Sequence, residues 1–275
     1  PPVFTSANTA SIVENSTGVI TTIVTTDDDS PPASYAITGG ADQALFQLIG
    51  GNQLAFIAGQ DFEMPADANG DNVFEVEVTA DDMGGATATQ MISVTLTNAN
   101  EFSPVFTSSA ALSIEENTQA VVTLAATDAD AGDVVSFAIT GGADAGLFQI
   151  VGGNQLQFTD IPDFEAPGDN GGNNIYDVQV TATDNGANPG TLSTVQNLAV
   201  TVTGVNDNAP VFTSSANLTQ AENVQAVVTL AATDADAGDM VSFAITGGAD
   251  NALFEIVGGN QLRFIGGSIP DFEAP

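Results

Sequence analysis

Hydrophobic residues in this chain alternate with polar or small ones over short stretches, the period of a strand that buries one face. Val122, Leu124 and Ala126 alternate with Val121, Thr123 and Ala125, and Val135, Phe137 and Ile139 alternate with Ser136, Ala138 and Thr140. Tyr176, Val178 and Val180 alternate with Asp177, Gln179 and Thr181, and Leu198, Val200 and Val202 repeat the pattern. Apolar runs at 112–114, 147–151 and 154–158 bring the predicted strands of this stretch to seven. Gly-rich breaks such as "TGGAD", "VGGN" and "GDNGGNN" separate them. Helix caps followed by 3.6-period stripes are missing, while β-branched residues abound. Seven short antiparallel strands in about a hundred residues predict an immunoglobulin-like Greek-key β-sandwich.

The same pattern occurs three times. "PVF" starts at 2, 104 and 210 and "EN" at 14, 116 and 222, which gives units of 102 to 106 residues, and "DFE" recurs at 61, 163 and 271. "TDADAGDVVSFAITGG" from Thr127 returns from Thr233 with the one change of Met240. Residues 1–101 and 102–207 read as complete repeats, and 208–275 as a third without its last two strands. At 275 residues the chain has length for such a set of domains, each with its own core. The expected fold is all-β: tandem seven-stranded sandwiches, end to end. The sequence stops at "PDFEAP", in mid-repeat, and reads as a piece of a longer array. The third repeat then has a sheet edge for further chain to complete.

Charge narrows the function. Thirty-five Asp and Glu face one basic residue, Arg263, for a formal net charge of −34. Electrostatic docking on phosphate backbones or anionic lipid is thereby excluded, so nucleic acid is not an expected partner. Cysteine and histidine are absent, which removes disulfides, iron–sulfur clusters and thiolate zinc sites. No apolar run reaches the roughly 18 to 20 residues of a membrane span, and Pro1–Phe4 carries no positively charged signal region.

Strand parity sorts the acids. Each strand crosses the sandwich once, so successive turns alternate between its ends, and seven strands send the chain out opposite to where it came in. Glu116 follows strand 1, Asp163 and Glu165 follow strand 5, and Asn206 and Asp207 follow strand 7, all at the lower end. Asp128 and Asp130 follow strand 2 and Asp184 follows strand 6, at the upper end. The short link through Pro210 makes the lower end of one repeat meet the upper end of the next. The first junction is expected to gather Glu14, Asp61, Glu63, Asn100 and Glu101 with Asp128, Asp130 and Asp184. The second is expected to gather Glu116, Asp163, Glu165, Asn206 and Asp207 with Asp234 and Asp236.

Two like charges about 4 Å apart repel by about 4 kcal/mol at an effective dielectric near 20, so such sets need a cation. The chain cannot supply it with one arginine. Carboxylate and amide oxygens without His or Cys favour a hard ion, and flexible acids favour Ca²⁺ over octahedral Mg²⁺. "DFE" suits this, because residues two apart on an extended segment point the same way.

These motifs together resemble tandem cadherin repeats, as found in bacterial surface proteins and animal adhesion molecules. "VNDNAPVF" at 205–212 is similar to the family's interdomain linker, with a weaker echo in "NANEFSPVF" at 98–106. The resemblance puts Glu116 at the early glutamate, Asp163 and Glu165 at the D-x-E motif, and Asn206 and Asp207 at the linker ligands. Asp234 and Asp236 fall at the D-x-D motif, and Asp184 at the late aspartate. It covers essentially the whole chain. The sequence departs from the pattern at Gly204, where the family has Asp, and at Asn98, Glu101 and Phe102 of the first linker. The first repeat has "TDDDS", with Asp27 and Asp29, at its D-x-D position.

Competing readings are weaker. Pro210 with Phe212 reads as a strand start with a core anchor. An EF-hand reading of "DADAGD" needs a bidentate Glu at position twelve, where Ile139 and Ile245 stand. Glu75, Glu77 and Asp177 read as a solvated face, and Asn15 and Asn217 head sequons that carry little weight. A hydrolase would use paired carboxylates, but "DFE" recurs three times at junction positions and the chain lacks His, Cys and Lys. A carbohydrate- or protein-binding module is the main alternative, although Trp is absent and Tyr35 and Tyr176 are the only tyrosines. The expected function is a calcium-stiffened extracellular spacer or adhesin array at a cell surface or in a secreted matrix. Expected partners are neighbouring repeats of the same chain, further copies of itself, and cell-surface glycans or proteins.

Overall fold

The longest alternations become the longest strands. In the computed structural model, which describes residues 1–28, 34–266 and 269–273, the first repeat runs β1 (Val3–Phe4), β2 (Thr9–Val13), β3 (Val19–Thr22), β4 (Thr25–Thr26) and β5 (Ser34–Gly39), then β6 (Phe46–Ile49), β7 (Gln53–Phe56), β8 (Val73–Asp81) and β9 (Thr87–Thr97). Two sheets form, β2-β9-β8-β5 and β3-β7-β6, with β1 and β4 as a two-residue ladder beside them. The hydrophobic faces of both sheets make one core. Phe46, Phe56 and Phe74 stack and abut edge to face, with ring centroids 4.7 Å (Phe46–Phe56) and 5.0 Å (Phe56–Phe74) apart. Ile23, Leu54, Val76, Val78, Ile92, Val94 and Leu96 fill the space around them. Each such side chain contributes about 1.5–3 kcal/mol by leaving water.

One pairing departs from the antiparallel expectation. β2 runs parallel to β9, with Thr9 opposite Ser93 and Val13 opposite Thr97. The reason is an odd number of crossings: β3 and β4 together make one, so β2 to β9 cross seven times, travel the same way and pair side by side only in parallel.

The second repeat repeats this order. β10 (Val105–Phe106), β11 (Ala111–Glu115), β12 (Ala120–Thr123), β13 (Ala126–Thr127) and β14 (Ser136–Gly141) precede β15 (Phe148–Val151), β16 (Gln155–Phe158), β17 (Ile175–Thr183) and β18 (Ser193–Thr203). Its sheets are β11-β18-β17-β14 and β12-β16-β15. Tyr176 stands where the first repeat has Phe74, and its hydroxyl accepts a hydrogen bond from Gly168 N at 3.1 Å, so the added polar atom is satisfied. In "TGGAD" the second glycine is required: Gly142 has φ +104, and a Cβ there would meet Asp177 O at 2.4 Å.

The third repeat forms β19 (Val211–Phe212), β20 (Ala226–Thr229), β21 (Ala232–Thr233), β22 (Phe254–Val257) and β23 (Gln261–Phe264), with sheet order β20-β23-β22. Residues 241–247, which match β14, form no strand, because the sequence holds no partner for them equivalent to β17. Packing groups the residues into two compact units, Pro1–Ser108 with Leu124–Ala138 and Val180–Gln196, and Ser109–Thr123 with Ile139–Gln179 and Asn197–Pro275.

Several acids are not the solvated face that their sequence positions suggest. Asp42 is buried, and its two oxygens accept Ala68 N and Glu75 N, both at 2.7 Å. Asp144 does the same with Asn170 N at 2.6 Å and Asp177 N at 2.8 Å. Asp67 and Asp169 are buried too and cap the N–H groups of Asp71 and Asn72, and of Asn173 and Asn174. These acids hold loops together.

Candidate metal centre

Each repeat builds its lower acidic set on one glutamate. Glu14 directly follows β2 and is buried; its Oε2 accepts Phe62 N at 2.8 Å and its Oε1 accepts Ala99 N at 2.7 Å. One carboxylate thus ties the "DFE" segment and the chain leaving β9 to the end of β2. Glu116 repeats this with Phe164 N and Val205 N, both at 2.7 Å. The next residue is an asparagine in the left-handed region, Asn15 at φ 57 and Asn117 at φ 61, a conformation this short amide tolerates. Its side chain reaches the linker acid: Asn15 Nδ2 donates to Glu101 Oε1 at 2.9 Å, and Asn117 Nδ2 to Asp207 Oδ2 at 2.6 Å.

The first compact unit contains the whole first expected set, and the second unit the whole second set. Within the first, oxygens of Glu14, Glu63 and Glu101 lie within 4.8 Å of one another, as do those of Asp128, Asp130 and Asp133. Within the second, Glu116, Asp163 and Glu165 form one group and Glu165, Asp207 and Asp236 another, so Glu165 belongs to both. Asp61 and Asp163 also close their own turns, accepting Met64 N at 3.0 Å and Ala166 N at 3.1 Å. Asp128 and Asp234 accept the N–H of Asp130 and Asp236, each at 3.1 Å. Asp29 of the first repeat lies outside the described residues.

Asn100 and Asp184 meet directly. Asn100 Nδ2 donates to Asp184 Oδ1 at 3.1 Å and to Gly190 O at 2.6 Å. Asp184 Oδ1 also accepts Gly186 N at 3.1 Å and Leu192 N at 2.9 Å. Gly186 is needed there, since a Cβ would lie 2.0 Å from Asn100 Nδ2. Asn206 uses its Nδ2 differently, on Asp239 Oδ2.

Crowding shows in the proton affinities. Partial burial, with Glu14, Asp130 and Glu63 close by, pushes Glu101 up to about 7. Burial raises Glu63 against the pull of the Ala131 N–H, and burial next to Glu116 raises Glu165. Burial also raises Asp133, with Asp184, Asp128 and Asp130 adding repulsion. Asp236 goes the other way, because the Asn208 side-chain amide and backbone N–H stabilise its charge. One substitution separates the linkers here. Asn208 Nδ2 donates to Asp236 Oδ1 at 3.1 Å, whereas Phe102 at the matching position supplies only its backbone N–H, to Asp130 Oδ2 at 2.9 Å.

The donor chemistry suits a hard cation. Glu63 Oε2, Asn98 Oδ1, Asn100 Oδ1, Asp128 Oδ2, Asp130 Oδ1 and Asp133 Oδ2 are buried oxygens with no hydrogen-bond donor. Such groups cost free energy unless something positive meets them. The single arginine does not, since Arg263 pairs with Glu255 at 2.9 Å. Glu222, Asp271 and Glu273 form a further such trio in the third repeat, with Phe272 N on Glu222 Oε2 at 3.1 Å. Sequence reasoning missed Asn15, Asn98, Asn117, Asp133, Asn208 and Asp239. The "EN" and "DADAGD" repeats carried the signal for four of these six.

No family profile matches the chain. Human Cadherin-23 is 36% identical over 199 residues, covering 66% of this chain and 6% of that protein. These are tandem cadherin-like repeats. The Drosophila melanogaster protocadherin-like wing polarity protein stan is 29% identical over 254 residues of the cadherin-like chain, 86% of it and 7% of the relative. The chain thus spans well under a tenth of the curated relatives it matches. Among solved structures, mouse Cadherin-23 EC22-24 superposes with TM-score 0.68 at 17% identity, over 98% of this chain and 89% of that one. Human CDH23 EC21-23 gives 0.70 at 21%, over 99% and 91%, so the fold is that of cadherin-like repeats. The cadherin-like array is of the extracellular repeat type. No helix among the described residues is long and apolar enough to cross a membrane.

Proposed function

We propose that this chain is a non-catalytic structural array that stiffens when Ca²⁺ occupies the junctions between repeats 1–101, 102–207 and 208–275. The observation that carries this reading is the set of buried, unpartnered oxygens at the first junction, with no basic side chain to meet them. Glu14, Asp61, Glu63, Asn100, Glu101, Asp128, Asp130 and Asp184 would hold the ions there. Glu116, Asp163, Glu165, Asn206, Asp207, Asp234 and Asp236 would hold them at the second. Bound calcium supplies positive charge and links oxygens from separate segments. The chain's own part is preorganisation. Glu14 and Glu116 fix the "DFE" and linker segments through backbone N–H groups, and Asn15 and Asn117 hold the linker acids.

Extracellular modules bind calcium at about 10⁻⁴ to 10⁻³ M, so the ion would be present outside cells and scarce in cytosol. The array would act as a spacer or filament supporting calcium-dependent adhesion, with neighbouring repeats and other copies of the chain as its partners. Small-angle scattering of the 275-residue chain tests this. Calcium should give a narrow distribution of molecular lengths and chelator a broad one. The same distribution in both would overturn the reading.

A further inference from the structure

The loop between β13 and β14 carries a third acid that the junction sets above omit. "DADAGD" places Asp128, Asp130 and Asp133 in one short segment and returns as Asp234, Asp236 and Asp239. Gly132, at φ +92, turns the chain, and Asp133 N donates to Asp130 O at 3.3 Å, so the loop closes on itself. This brings oxygens of all three carboxylates within 4.8 Å of one another. One oxygen of Asp128 and one of Asp130 is taken by a backbone N–H, from Asp130 and Phe102. Asp128 Oδ2, Asp130 Oδ1 and Asp133 Oδ2 remain buried without a donor, and Asp130 as a whole is only 3% exposed.

Neutral groups point the same way. Asn98 Nδ2 donates to Ala131 O, inside this loop, at 3.1 Å and leaves Asn98 Oδ1 buried and unpartnered. Asn100, only 4% exposed, spends its amide N–H groups on Asp184 and Gly190 and also leaves its oxygen unpartnered. Amides whose N–H groups are already spent and whose buried oxygens meet no donor fit a cation, not a proton donor. At the second junction the linker touches the third acid itself, through Asn206 Nδ2 on Asp239 Oδ2.

We propose that Asp133 and Asp239 are calcium ligands, so that the loop opening each of these repeats presents three carboxylates to the ion instead of the two of its D-x-D pair. The proposal rests on the calcium reading above. Ligand charge count tunes affinity in such oxygen sites, so the third carboxylate strengthens binding.

Calcium titration calorimetry and native mass spectrometry of the 275-residue chain test it, on Asp133→Asn, Asp239→Asn and the strand-surface control Asp177→Asn. Each loop variant should weaken calcium binding about tenfold or lose an ion, and the control should match the parent. In chelator Asp133→Asn should melt at or above the parent temperature, because a repelling charge has gone, and the rise on adding calcium should shrink. Calcium binding by Asp133→Asn within about twofold of the parent overturns the ligand role alone. A lower melting temperature in chelator makes Asp133 a structural acid and overturns it too. A parent chain that takes up no calcium removes the stiffening reading and this one together.

Discussion

At the scale of single residues, the acids divide by who meets their oxygens. Asp67 and Asp169 are met by backbone N–H groups, and although burial opposes ionisation, those donors more than offset it and hold both carboxyls below the ordinary range. The sign follows from linkage. A carboxyl with a lowered folded pKa contributes stability above its unfolded value of 3.8, and that stability is lost as pH falls through the folded value. Glu101 behaves oppositely. Its folded value of about 7 lies above 4.5, so without metal the folded state is penalised progressively as pH rises from 4.5 to 7. Melting of the calcium-free chain should therefore peak between these windows, near pH 4 to 5, and decline toward 7. Calcium should abolish the decline. A calcium-free melting temperature that rises steadily to pH 7 would contradict the crowding at Glu101. Glu165 makes a second prediction at this scale, since it belongs to both groups of the second junction. Glu165→Ala should weaken calcium binding there by at least about tenfold, the order carried even by outer-shell partners of a metal. Its melting temperature in chelator should not fall, because the side chain is outside the core.

At the scale of elements, alternation made the strands legible. Val135, Phe137 and Ile139 are each partly buried between exposed neighbours, and Tyr176, Val178 and Val180 are buried, as a period of two requires. The parity of seven strands also sorts the acids by the end of the sandwich at which their turns are expected. What alternation could not show is where backbone donors would be left over. Asp42 and Asp144 look like any other loop acid in sequence, yet each holds a β8- or β17-side N–H and a loop N–H at once. Nor could the spacing of acids reveal Asn15 and Asn117, whose role depends on a left-handed backbone that brings the amide to the linker. A loop pin gives a direct test. Asp169→Asn keeps the shape but replaces a charged acceptor of the Asn173 and Asn174 N–H groups. Hydrogen bonds to charged groups contribute about 1.5–3 kcal/mol each, so a loss of about 1–3 kcal/mol in denaturant unfolding is expected. Calcium stoichiometry should stay the same, which separates loop pins from junction acids.

At the scale of the whole molecule, a net charge of −34 opposes compaction whatever the junctions do, so stiffness has two possible electrical origins. One is general repulsion, which any salt screens. The other is bridging, which needs an ion held by oxygens from separate segments. They can be told apart because screening depends on ionic strength and bridging on ion identity. At about 1 M NaCl the Debye length is about 3 Å, short enough to mute repulsion between exposed acids on different repeats. Sodium cannot satisfy the buried oxygens of Glu63, Asp128 and Asp130 with the charge that a divalent ion brings to a set drawn from both repeats. Scattering in chelator with about 1 M NaCl should therefore leave the broad length distribution in place, whereas about 1 mM calcium at low salt should narrow it. If sodium alone narrowed it as far as calcium does, the junction acids would be acting only as diffuse charge. The geometric fit of Glu14, Glu101 and their neighbours would then have no part in the array's stiffness.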